Sequence, residues 1–220
     1  MHFANKIEKI SDDIINGRLL SSSGKEFTDI VNVGIGGSDL GPVMVVEALK
    51  YYKTRLNIHF VSNVDGDHVN EVIKNLNPET TFFIIVSKTF TTQETISNAL
   101  TIKKWFCKKL SEKDFQSHFA AVSTNLSAIK DFGINSDFVF PMYNYVGGRF
   151  SLWGTVGLSI SLAIGFKNFE KLLRGANEMD LHFKNEPNEK NIPIILASVS
   201  YTHLRAHETD SYLVCRLLLE

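Results

Sequence analysis

Asp29-Ile-Val-Asn-Val-Gly-Ile-Gly-Gly-Ser-Asp-Leu-Gly-Pro42 is the stretch on which the reading of this chain turns. Its first five residues are rich in β-branched side chains and suit a strand. Four glycines follow between positions 34 and 41, and Pro42 fits the first turn of a helix. A strand that passes through a glycine-rich turn into a helix is the opening half of a βαβ unit. The pattern repeats outward from there. Apolar runs at 58–62, 81–86, 118–122 and 137–140 alternate with helical periodicity at 42–52, 68–76, 92–110 and 127–132. The run 81–86, Thr-Phe-Phe-Ile-Ile-Val, is apolar almost throughout. Such strands belong to sheets covered on both faces. The expectation is an α/β fold with a doubly wound parallel sheet. A leading helix over 3–16 precedes it, and helical patterns at 152–164 and 169–183 follow it.

Composition narrows the class. The 220 residues are 44% hydrophobic and 21% charged, with 23 basic against 24 acidic side chains and a net charge of -1. That balance gives no field for nucleic acid or an anionic membrane. It also excludes disorder as the main state. Cys107 and Cys215 are too few for a disulfide framework and fit a reducing compartment. The first thirteen residues, MHFANKIEKISDD, lack the apolar core of a signal peptide. The longest uncharged run, 151–166, is shorter than the ~20 apolar residues a membrane span needs and reads as a buried helix.

Three segments carry chemistry. In the first, 34–42, glycines let a backbone approach a ligand, and the following helix N-terminus favours an anion. Asp39 breaks the dinucleotide spacing G-x-G-x-x-G, and Pro42 stands where a P-loop needs lysine, so no nucleotide site is indicated. The second is Ser87-Lys-Thr-Phe-Thr-Thr-Gln-Glu-Thr95. Thr91 and Glu94 have capping-box spacing, which predicts a helix start at Thr91 or Thr92. Ser87, Lys88, Thr89 and Thr92 would then surround that start and cradle a phosphomonoester. Two such loops at the carboxyl ends of parallel strands are where open α/β sheets bind ligands. The third is Val146-Gly-Gly-Arg-Phe-Ser-Leu-Trp153, where Arg149 offers forked donors to an oxyanion and Leu152 and Trp153 are expected to pack beside it.

Isolated residues suggest less. His59 reads as a hydrogen-bonded strand histidine and His68 as part of a helix first turn. His118 and His182 show no partner in the sequence. His203 and His207 have helical spacing without a third ligand, so no metal site is expected. Cys107 reads as packed rather than reactive.

The three segments resemble the hallmark blocks of the glucose-6-phosphate isomerase family, in the same order and at similar intervals. Phe60-Val-Ser-Asn-Val-Asp-Gly66 and Leu76-Asn-Pro-Glu-Thr80 resemble that family too. The resemblance covers residues 1–198. It implies the sugar isomerase (SIS) fold, a three-layer αβα sandwich around a parallel sheet. It further implies interconversion of glucose 6-phosphate and fructose 6-phosphate through an enediolate, in glycolysis and gluconeogenesis. No metal or other cofactor is implied, and the intact enzyme is expected to be a cytoplasmic homodimer. Position by position, Ser87, Lys88, Thr89 and Thr92 match the phosphate-binding residues. Gly37 and Ser38 match the other substrate-binding loop, and Arg149 matches the arginine that stabilises the enediolate.

Two departures stand out. Tyr143-Asn-Tyr145 replaces the usual Trp-Asp-Trp, so Asn144 gives Arg149 no charged partner. The family's general base, a glutamate, and its ring-opening histidine and further lysine belong to later blocks that match nothing here. The expectation is a fragment of the enzyme that lacks its base and is inactive alone. The alternative is a non-catalytic SIS-type sugar-phosphate-binding module. Residues 199–220 resemble a translated sequencing-adapter tail, which sets His203, His207 and Cys215 outside the functional reading.

Overall fold

The computed structural model describes residues 2–203. Residues 204–220, most of the stretch set apart as a tail and including His207 and Cys215, lie outside the described residues. Contacts divide the chain into two compact units, residues 1–170 and 171–220.

The first unit is built on five parallel strands: β1 (Asp29–Val33), β2 (Asn57–Val61), β3 (Thr81–Val86), β4 (Phe119–Ser123) and β5 (Val139–Pro141). Their order is β2-β1-β3-β4-β5, so the chain winds one way from β1 and the other way from β3. Asn32 of β1 lies level with Phe60 on one side and Ile84 on the other. The strands β3 and β4 are buried along their whole length, as their apolar sequences require of a sheet covered on both faces.

Helices α1 (His2–Ile15), α2 (Leu40–Ala48) and α7 (Leu158–Ile164) pack together on one side. Helices α3 (Gly66–Ile73), α4 (Gln93–Phe106), α5 (Glu112–His118) and α6 (Leu126–Phe132) supply the connections from β2 to β5. The result is the expected αβα sandwich. A phenylalanine cluster fills the space between β3, β4 and the connecting helices. Phe119 stacks on Phe115 at 4.0 Å and on Phe83 at 4.6 Å, with Phe106 edge-on. Each such ring removes 150–250 Å² from water, which makes this cluster a main source of the unit's stability.

Local chemistry sets the helix ends. Asp65 Oδ1 accepts from the N–H groups of Asp67 and His68 and starts α3. Helix α5, which apolar periodicity does not reveal, begins at a capping box between Ser111 and Asp114. Those bonds from Ser111 also hold the Asp114 carboxyl below its ordinary range. Gly133, at φ +96°, ends α6.

The uninterrupted helix expected over 152–164 is instead two 3-10 turns, Gly148–Trp153 and Thr155–Gly157, followed by the short α7. The break falls at Gly154, whose φ of -111° and ψ of -144° leave the helical region, and a second glycine, Gly157, meets a neighbouring ring. A Cβ there would fall 2.4 Å from Cζ of Phe169, so the chain approaches that ring at a point where no side chain fits. The stretch is nonetheless buried as expected, with all seven residues of α7 enclosed.

Helix α8 spans Phe166–Asn185 and carries the chain into the second unit. There a further helical stretch occupies 192–203. Asn191 joins the two helices, donating from Nδ2 to Phe183 O at 2.8 Å and accepting from the Ile194 N–H at 3.3 Å. His182 accepts from the Ile192 N–H at 3.0 Å. No helix among the described residues is long and apolar enough to cross a membrane.

Candidate active site

At the carboxyl ends of β1 and β3, three loops enclose a cleft of about 180 Å³. The glycine loop after β1 contributes Gly37 and Ser38. The hydroxyl-rich loop after β3 contributes Ser87, Lys88, Thr92 and Thr95, and the turn beyond β5 contributes Gly147, Gly148 and Ser151. The cleft lies where the strand order reverses, the place at which open α/β sheets bind ligands.

The glycine loop is shaped by contact. Asn32 Nδ2 donates to Ser38 O at 3.1 Å and ties the loop back to β1. Gly36 adopts φ +59°. A Cβ on Gly37 would lie 2.1 Å from the carbonyl oxygen of Gly148, so the two glycine-bearing loops meet backbone to backbone. The Leu152 side chain packs over Gly41, while Trp153 is more than a third exposed. Asp39, the N-cap of α2, makes no side-chain cap bond, and its buried Oδ1 has no partner among the described residues. Burial raises its carboxyl pKa, against the opposing effect of a charged His68.

The hydroxyl-rich loop departs from its expected capping. Helix α4 starts at Gln93 with Thr92 as N-cap, but neither threonine forms the capping box. Thr91 Oγ1 donates to Thr89 Oγ1 at 2.8 Å, and Thr92 Oγ1 accepts from Ser87 Oγ at 3.2 Å. The first amides of α4 therefore have no side-chain cap at the mouth of the cleft, an arrangement that favours an anion. Phe90 holds φ +54°, the only non-glycine residue with positive φ among those described. That costs about 1–2 kcal/mol. Its buried ring lies edge-on to Phe132 at 5.7 Å, which anchors the strained turn.

Lys88 crosses the cleft. Its Nζ donates to the Asn144 carbonyl at 2.7 Å, so Asn144 meets a cation through its backbone. The flanking Tyr143 and Tyr145 rings stack at 5.2 Å.

Of the seven residues singled out in sequence, Gly37, Ser38, Ser87, Lys88 and Thr92 line one cleft. Thr89 is exposed and does not line it. Arg149 is the second residue of the turn Gly148–Trp153, directly after the cleft-lining Gly148; its side chain lies outside the described residues. Thr95 and Ser151 also line the cleft, and sequence reasoning did not assign them a role. Thr95 was legible in part, since it follows Thr92 by three residues and shares its helix face. Ser151 gave no signal beyond its place two residues after Arg149.

The remaining candidates settle into structural contacts. His59 bonds Asp29 at 2.9 Å. His118 is fully buried between Thr81 O, at 2.8 Å from Nδ1, and Ser22. Cys107 is half-buried, and burial pushes its thiol pKa up. His203 Nδ1 bonds Val199 O in its own helical stretch. Among the described residues no three His, Cys, Asp or Glu side chains are grouped to hold a metal ion.

Fold and cleft together define an αβα protein of the sugar-isomerase type, with hydroxyls, a lysine and an uncapped helix start gathered at the carboxyl ends of its strands. Comparison with known proteins makes this specific. The phosphoglucose isomerase family profile matches residues 1–216, past the division expected at 198. Glucose-6-phosphate isomerase from Christiangramia forsetii is 59% identical over 206 residues, 94% of this chain and 38% of that protein. The enzyme from Wigglesworthia glossinidia brevipalpis is 55% identical over 213 residues, 96% of this chain and 39% of that protein. The crystal structure of a glucose-6-phosphate isomerase from Chlamydia trachomatis superposes with a TM-score of 0.75 at 29% identity, covering 88% of this chain and 36% of that one. The chain belongs to the phosphoglucose isomerase family, and it spans about two fifths of the length of these curated relatives.

Proposed function

We propose that this chain forms the phosphate-anchoring part of a glucose-6-phosphate isomerase, which interconverts glucose 6-phosphate and fructose 6-phosphate. The observation that carries this reading is the cleft. The uncapped start of α4, the Ser87 and Thr92 hydroxyls and the Lys88 ammonium converge there, in a chain of this family. In the proposed mechanism Ser87, Lys88 and Thr92 hold the phosphate from within the cleft, Thr89 contributes only its backbone N–H from beside it, and together they fix the distance to the reacting carbons. Gly37 and Ser38 meet the sugar. Removal of the proton next to the carbonyl places negative charge on the enediolate oxygen, and the always-charged Arg149 stabilises it.

Proton transfer between the two carbons also needs a positioned base. Among the described residues no carboxylate lines the cleft. We therefore propose that this chain by itself binds sugar phosphates without efficient turnover. A non-catalytic sugar-phosphate-binding module would share that behaviour. The intact enzyme is proposed to be a cytoplasmic homodimer.

Thermal melting tests the binding. Millimolar fructose 6-phosphate or inorganic phosphate should raise the melting temperature by several degrees, as expected when a ligand binds only the folded state. The double variant Lys88→Ala, Thr92→Ala should abolish the shift, and an unchanged shift would overturn the site. A coupled isomerase assay on the chain should read near background, and robust turnover would show a base within it.

A further inference from the structure

The loop that carries Lys88 is held from behind by more bonds than its backbone needs. Three donors converge on the Lys88 carbonyl oxygen: Ser123 Oγ at 2.8 Å, Thr124 Oγ1 at 2.7 Å and the Thr124 N–H at 2.9 Å. A carbonyl oxygen has two lone pairs, so two of these bonds already satisfy it. Asn125 Nδ2 donates to the next carbonyl, Thr89 O, at 3.0 Å. Ser123 Oγ also accepts the Asn125 N–H at 3.1 Å, which turns its own proton toward Lys88. All of these donors come from the last residue of β4 and the two that follow it.

The Lys88 carbonyl and the Thr89 N–H belong to one planar peptide unit. Hydrogen bonds accepted by the carbonyl polarise that unit and strengthen its N–H as a donor. Among the described residues no backbone acceptor meets the Thr89 N–H, which follows directly on the cleft-lining Lys88. The ammonium of the same Lys88 reaches across the cleft to Asn144 O.

We propose that Thr124, assisted by Ser123, is a positioning residue for the phosphate site. It draws the Lys88–Thr89 peptide onto the end of β4, which aims the ammonium across the cleft and the Thr89 N–H at a bound phosphate. Thr124 does not line the cleft and acts only through its neighbours. The inference rests on the phosphate reading of the cleft given above.

Thr124→Val keeps the side-chain shape and leaves the carbonyl its two other bonds. The melting temperature should therefore move by less than about 2 °C. The Kd of the whole chain for inorganic phosphate and for fructose 6-phosphate, by calorimetric titration, should rise about three- to tenfold. Thr124→Ser should restore it. In the ligand-free chain the Lys88 carbonyl ¹³C resonance should move upfield in Thr124→Val. An unmoved resonance, an unchanged Kd, or a loss that Thr124→Ser fails to restore overturns the positioning role. Wild-type binding with an unchanged Thr124→Val variant leaves the phosphate reading standing. A wild-type chain that binds neither probe brings down both.

Discussion

Thr95 is the cleft residue that its own protein leaves unsatisfied. It is 1% exposed, and its Oγ1 has no hydrogen-bond partner among the described residues. A buried hydroxyl in that condition costs about 1–3 kcal/mol. Serine or threonine hydroxyls inside helices ordinarily bond back to the preceding turn, as Thr101 does with Ser97 O at 2.9 Å. Thr95 forgoes that bond at the first turn of α4, beside the Ser87–Thr92 pair. Thr95→Val keeps its volume and removes the unpaired group. We expect it to leave urea-unfolding stability unchanged or to raise it by roughly 0.5–2 kcal/mol. A loss beyond about 1 kcal/mol would show that the hydroxyl has a partner in solution. The sequence displays the threonine, but its burial and its missing partner arise only once α4 is laid against the sheet.

At the level of elements, the site depends on two loops touching without side chains. Gly37 and Gly148 meet where a single methyl group would sit 2.1 Å from a backbone oxygen. Backbone on both sides leaves nothing flexible to move aside. Gly37→Ala should therefore destabilise the chain by about 1–3 kcal/mol and remove the phosphate-induced rise in melting temperature, because it separates the glycine loop from the turn that carries Arg149. Gly66→Ala is the control. Gly66 opens α3, has open space around its Cα and has no positive φ. That change should be neutral or mildly stabilising in the same measurements. If the two variants behaved alike, the loop contact would not matter. Gly37 was legible as part of a ligand-approach loop and Gly148 as part of a turn. Their second purpose, mutual contact across more than a hundred residues of sequence, belongs to the tertiary structure.

At the scale of the whole molecule, His118 joins three distant segments at the amino ends of β3 and β4, the end of the sheet opposite the cleft. Its Nδ1–H donates to Thr81 O at 2.8 Å, and Nε2 accepts from Ser22 at 3.2 Å (Oγ) and 3.3 Å (N–H). This pattern needs the neutral ring, since a protonated Nε2 would face the Ser22 N–H. Burial holds the imidazole pKa below its ordinary value, against the Thr81 bond and the Asp114 charge, which pull it up. The unfolded chain therefore binds this proton more readily than the folded one, and stability rises with pH across the gap. The contribution is fully present above about pH 6.5 and is lost as pH falls from there toward the folded-state pKa. Urea unfolding between pH 5 and 7 should show that decline, and His118→Gln should flatten it while costing about 1–3 kcal/mol at neutral pH. An identical slope in the variant would assign the decline to other groups.

The sequence by itself determined the order and kind of the main elements. β1 and β3 lie at their expected residues, because a β-branched run that ends in glycines and a nearly continuous apolar run both suit strands of a sheet covered on both sides. It also determined which loops carry hydroxyls, glycines and the lysine, since those chemistries are local. It did not reveal α5, whose signal is a capping box rather than a stripe, nor the two partners of His118, which come from β3 and from the loop after α1. Nor did it place Thr89 outside the cleft while Thr95 and Ser151 line it. Those outcomes depend on how far each loop is pulled by bonds such as Ser123 and Thr124 to Lys88, made between residues more than thirty positions apart. Local pattern fixes what a segment can become. Which of its groups face the ligand is decided by long-range hydrogen bonds and close packing, which exist only after the strands have been brought together.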